Sequence, residues 1–516
     1  MANTINAYDA DVRIPQFLGL KQYGDLMNGN PVYADHAENM NTKGGTLMPM
    51  AKPSLLYIED ESGEMTYPIE TLMCVSRRQY RDQILVAAAN GILYYYQDNL
   101  WKPATMPEGM DGFTNNTWSW VDYEYTPQDS GDGTPHDVIL FSNQDNGMFM
   151  LDSVDFTITA VPTPEMFGVI ERTNERIWGA RIKDKPDWLY YSAVYDPTDW
   201  CHRNPDYDDE PEIFKKNGQP EDGAGEIVQP SWDGDAFTTL RAFGDQLIAF
   251  KRTRVWRVVG TNPGEYVFKE QYGGGAMAAH TVAVDSNRIY MLGRDGVYAY
   301  DGNSVEPFGK EYAWQVFNRM NVERLDEACG CVWRDKYYLA IPIDGSAVNN
   351  AVVTYDLHDG TWLLRTDLKV ESWLPAETAL YFTKSDEPYN VHQYHEDAWV
   401  SGEAIDKSQE WITPWNDLNY PQKNKGPFAV YFSPEVQDKP VDFTLTIDTE
   451  RSIKSKTVRI YPDMGYEKRM SREAKVVRVP FAINGRRFRM RLLAKGGAVW
   501  RICGGILIHL DQETED

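Results

Sequence analysis

The chain has 516 residues, 77 acidic against 51 basic, giving a net charge of -26. Such a balance repels a phosphate backbone and excludes an ordinary DNA-binding protein, whose affinity comes mainly from Lys and Arg. No run approaches the roughly 20 apolar residues of a membrane-spanning helix, and the first 19 residues lack the charged start and apolar stretch of a secretory leader, so a soluble product made in the cytoplasm is expected.

After an irregular lead over residues 1–55, short aromatic and β-branched runs alternate with turn residues. Residues 84–88 and 92–96 flank Asn90-Gly91, a strong hairpin signal, and 138–142 and 148–151 flank Asp145-Asn146-Gly147. Residues 176–180 run through Lys185-Pro186-Asp187 into 188–192, after which Asp196-Pro197-Thr198 supplies a turn. Pairs at 247–250 and 255–259, 288–292 and 297–300, 331–341, 352–355 and 361–364, and a run at 379–383, continue the pattern. One helix is predicted over 310–318, with Tyr312, Val316 and Phe317 as its apolar stripe.

Repeated four-stranded units of about 40 to 60 residues without intervening helices predict an all-β fold, a β-propeller of five to seven irregular blades over 56–405, partly closed by the 1–55 lead. A pair of sandwiches is the alternative. Residues 406–427 turn polar, with Pro414, Pro421 and Gly426, and read as a linker. Runs at 428–432, 442–448, 457–461, 475–479, 488–493 and 500–510 then predict a C-terminal antiparallel β-sandwich over 428–516. In it, Arg487-Phe488-Arg489-Met490-Arg491-Leu492 places three arginines on one face of a strand and three apolar side chains on the other. Charge is segregated to match: residues 451–510 hold 15 Lys plus Arg against 3 Asp plus Glu, leaving -38 on the rest. A basic end on an acidic body suits docking onto an acidic neighbour, including a second copy, with Arg486, Arg487, Arg489 and Arg491 the expected inter-subunit contacts. The competing reading is a solvated basic face.

The remaining motifs weigh toward structure. Cys329-Gly330-Cys331 and Cys201-His202 lack further ligands at zinc spacing and read as core thiols, and five cysteines make no disulfide framework. Gly273-Gly274-Gly275 has neither the Lys-Ser/Thr nor the helix of a phosphate loop and reads as a turn between blades. The acidic stretch holding Asp206, Asp208, Asp209, Glu210 and Glu212 lacks calcium-loop spacing and reads as a solvated excursion between strands. Facing a duplex in a channel, such a loop prevents sticking. No nucleophile elbow or zinc-protease helix motif occurs, so no catalysis, cofactor or metal is expected.

Three passages carry a family resemblance. They are Asn174-Glu175-Arg176-Ile177-Trp178-Gly179 with 188–192 and 196–200; 247–251 with Val255-Trp256-Arg257-Val258-Val259-Gly260 and 266–268; and 289–292 with Asp295-Gly296-Val297-Tyr298 and Tyr300-Asp301-Gly302. Phe17-Leu18-Gly19-Leu20 and Gly44-Gly45-Thr46-Leu47 add a weaker echo. The chain here resembles the β-propeller proteins of phage tails known as tail nozzle, tail tube or packaged-DNA stabilisation proteins. The resemblance implies a homo-oligomeric ring, commonly of six copies, set in the virion tail against a portal or adaptor ring, with double-stranded DNA passing through or held in its lumen. The second expectation is a carbohydrate-binding or polysaccharide-degrading propeller that stacks sugars on its Trp and Tyr rings. Rings exposed around one pocket favour that reading, and rings buried between blades favour the conduit.

Overall fold

A computed structural model of the protein describes residues 10–22, 27–60, 63–126, 134–200, 223–229, 234–260, 265–462 and 476–510. Among them, seven four-stranded antiparallel sheets follow one another along the chain, spanning 71–103, 119–161, 169–228, 239–271, 283–308, 329–365 and 370–394. The innermost strand of each touches that of the next, and Val370–Pro375 of the seventh returns to Thr71–Arg77 of the first, so the sheets form a closed β-propeller. Closure is made by the lead: Ser54–Leu55 is the outer strand of the seventh blade, with Leu55 opposite His392 and Ser54 opposite Gln393.

Local chemistry explains the hairpins. Asn90 and Gly91 both take positive φ, 49° and 79°, as the mirror-image turn matching strand twist requires. Asn143 Oδ1 accepts the backbone N–H of Asp145 and Asn146 at 3.1 and 2.8 Å, tying the second turn. Gly273–Gly275 joins the fourth and fifth blades, and a Cβ on Gly273 (φ +125°) would collide with the Val305 carbonyl. The helix occupies Lys310–Phe317, with Val316 and Phe317 buried and Tyr312 half-buried.

The second unit is a β-sandwich of two sheets. One holds, in order, Ala10–Ile14, Trp500–Leu510, Phe428–Val436 and Val477–Phe481. The other holds His36–Glu38, Gln409–Ile412, Phe488–Ala494, Val441–Thr449 and Ile453–Ile460. Two of these strands belong to the lead, and Gln409–Ile412 lies inside the segment read from composition as a linker. Its strand character was hidden because only Trp411 and Ile412 are apolar in a polar stretch, yet Trp411 is fully buried.

Sandwich and propeller share one hydrophobic core. Phe443, Phe488, Met490 and Trp500 pack between the sandwich sheets, and the core continues through Phe17 and Trp411 to Tyr337, Leu339 and Trp362 of the sixth blade. Phe17 meets Trp411 edge-to-face at 5.2 Å. Gly19 (φ +75°) lies against the Trp362 carbonyl, where any Cβ would clash, and Leu20 N–H donates to that oxygen at 2.7 Å. The lead is thus a strap that belongs to both units.

Candidate functional site

The outer face of the five-stranded sheet is built by strand alternation. In Phe488–Ala494 the apolar residues Phe488, Met490, Leu492 and Ala494 are buried, while Arg489 and Arg491 point outward. Register sets their partners: Arg489 stands opposite Asp448 and bonds it at 2.9 Å, and Arg491 pairs with Glu410 of the neighbouring strand. On the far strand Arg459 is bidentate to Asp442 at 2.7 and 3.0 Å. Thr444 with Thr457, and Thr446 with Ser455, fill the rows between. The face is a lattice of alternating charges.

At its lead-strand edge the register places two carboxylates, Glu38 and Glu410, directly opposite each other. Like charges in that position repel. His36 resolves the conflict, its Nε2 lying 3.6 Å from Glu38 and 3.4 Å from Glu410. Pairing with Glu38 and then Glu410 outweighs burial and raises the imidazole from 6.5 to about 9, which favours the cation at neutral pH. The same contact with His36 draws Glu38 below the usual carboxylate range. Burial pushes Glu410 upward, but His36 and Arg491 together bring it lower.

The four arginines expected as inter-subunit contacts therefore occupy different settings. Arg489 and Arg491 are engaged within the sheet. Arg487 and Arg489 both lie over the Trp415 ring, each 4.7 Å from its centre. Arg486 and Arg487 are exposed, and their backbone N–H groups donate to Glu450, which holds the turn before the strand in place. Neither makes an ion pair among the described residues. Asp206, Asp208, Asp209, Glu210 and Glu212 lie outside the described residues, in the connection between Trp188–Tyr191 and Gly225–Val228 of the third blade. Cys201 lies outside them as well, whereas Cys329 and Cys331 are buried in a sixth-blade strand with thiols that burial pushes upward.

The participants that sequence reading missed are His36, Glu38 and Glu410. Each sits in a segment read as lead or linker, and no local pattern announces a contact between residues more than 370 positions apart. Trp178, Trp362 and Trp500, by contrast, are where strand patterns put them and are fully buried. Among the described residues, no helix is long and apolar enough to cross a membrane.

No family model matches the sequence, and no curated protein matches it. Among solved structures the chain is similar to the extracellular domain of a hybrid two-component system from B. thetaiotaomicron, at 9% identity and TM-score 0.39, over 67% of this chain and only 40% of that one. It is also similar to BamB from Moraxella catarrhalis, at 8% identity and TM-score 0.35, over 73% of this chain and 99% of that one. A third is the β-propeller domain of the Trilobed protease from Pyrococcus furiosus, at 10% identity and TM-score 0.33, over 67% and 95% of the two chains. The fold assignment rests on the strand pairing of this chain itself.

Proposed function

We propose that the chain is a structural protein of a bacteriophage tail, one copy in a homo-oligomeric ring of about six that extends the DNA channel and helps retain packaged DNA. The observation that carries this reading is a closed propeller fused through one continuous core to a sandwich that bears the basic end of an acidic chain. A basic segment on an acidic chain is suited to contact between copies. Arg486 and Arg487, exposed and without an ion pair among the described residues, have charge to spare for such a contact. The acidic stretch at 206–212 is assigned to the lumen from its sequence alone, where it would keep a passing duplex from sticking within about 8 Å, the screening length at physiological salt. Burial of Trp178, Trp362, Trp411 and Trp500 favours the conduit over a sugar-stacking propeller.

The test is native mass measurement of the full chain and of an Arg486→Glu, Arg487→Glu variant. A ring that becomes a folded monomer on charge reversal supports the proposal. A monomeric wild type, or a ring indifferent to the reversal, counts against it.

A further inference from the structure

An open recess with about 310 Å³ of accessible space lies between the fourth and fifth blades. Its walls are two turns, 244–245 after Thr239–Phe243 and 301–304 after Val297–Tyr300. The second is closed by Asp301, whose Oδ1 accepts the N–H of Asn303 and Ser304 at 2.9 and 3.0 Å, so that carboxylate is spent on its own loop. Arg257 reaches the cavity from Val255–Val259 and lines it together with Phe243, Asp245, Gln246, Ser286 and Asn303.

Arg257 is the anomaly of this site. On the same blade Arg254 pairs with Glu270 at 3.0 Å and Arg241 with Glu171 at 3.5 Å. Arg257 has no carboxylate within ion-pair distance among the described residues. Its Nη1 makes only long contacts, 3.5 Å to Gln246 Oε1 and 3.4 Å to the Gly302 carbonyl, and its Nε is enclosed without an acceptor. In a chain of charge -26 an arginine without a carboxylate partner among the described residues, at the wall of a cavity, is a guanidinium whose terminal donors are available to a ligand.

The other lining groups narrow the ligand. A volume near 310 Å³ is at the small end of ligand sites and suits one ring. Asp245 disfavours a group that is anionic on every side, such as phosphate, but accepts hydrogen bonds from hydroxyls. Gln246, Ser286 and Asn303 serve hydroxyls in either sense, and Phe243 offers one ring face. We propose that this cavity binds a single acidic monosaccharide unit, a hexuronate, with its carboxylate on Arg257 and its hydroxyls on Asp245, Gln246, Ser286 and Asn303. Binding there involves no bond cleavage.

Titration of the full chain with glucuronate, followed by calorimetry and by saturation transfer from protein to ligand protons, tests this. Millimolar binding is expected, with glucose and acetate each much weaker because each supplies half of the recognition. Arg257→Ala weakens glucuronate roughly tenfold or more, and Arg257→Lys, which keeps the charge without the planar fork, weakens it less. Ser286→Trp, at an exposed position of the lining, fills the cavity and abolishes binding, which keeps the test open should Arg257→Ala fail to fold. Absence of glucuronate binding, acetate or inorganic phosphate binding as tightly as glucuronate, or binding unchanged in Ser286→Trp overturns the proposal.

Discussion

Replacing His36 with Gln removes the cation that contacts both Glu38 and Glu410 while keeping a side chain of similar length. The imidazole is raised from 6.5 in the unfolded chain to about 9 in the folded one, so protons favour the native state. Its contribution is full below pH 6.5 and disappears as pH rises through 9. Integrated over that interval it amounts to about 3 kcal/mol at pH 6, about 2 at pH 7.5 and a few tenths at pH 9. With 28% of the side chain exposed, salt screening brings the first figure down toward about 2 kcal/mol. The effect is local to the lead strand, so the assay is amide hydrogen exchange in peptides covering 36–38 and 409–412, comparing wild type and His36→Gln at each pH. The difference in protection should be large at pH 6 and nearly absent at pH 9, and the His36 ring protons should titrate near 9. A gap that is constant or widens with pH, or a titration below 7, refutes the reasoning.

Other perturbations follow from the same contacts. Trp411→Ala opens a cavity where lead, sandwich and propeller meet, and should cost about 3 to 5 kcal/mol in calorimetric or denaturant unfolding, with sandwich and propeller melting separately. Asp367→Asn strips the partner from Arg365, which is fully buried and bonded to that carboxylate at 2.8 Å, and should cost about 3 to 5 kcal/mol, seen as a lower melting temperature. Gly19→Ala puts a Cβ against the Trp362 carbonyl at a positive φ, and should destabilise by more than about 1 kcal/mol, read from denaturant midpoints. Deleting residues 1–55 removes the outer strand of the seventh blade and two sandwich strands, and should yield insoluble or partly unfolded chain by circular dichroism rather than a folded propeller.

Much of the architecture is written locally. Asn-Gly at 90–91, the alternation in 488–494 and the apolar runs of the blades specify strands and hairpins through turn geometry and side-chain period, both properties of a few adjacent residues. The basic character of 451–510 is equally plain. What these patterns do not encode is which distant segment completes each sheet. Ser54–Leu55 has no reason in its own two residues to close a seventh blade, and Gln409–Ile412 looks polar until Trp411 is seen to fill the shared core. The grouping of His36, Glu38 and Glu410, the stacking of Arg487 and Arg489 on one ring, and the placement of the Arg257 guanidinium all arise where separate strands or blades meet. Period and turn chemistry act over neighbouring residues, whereas charge pairing and cavities depend on distances through space, which only the folded chain sets.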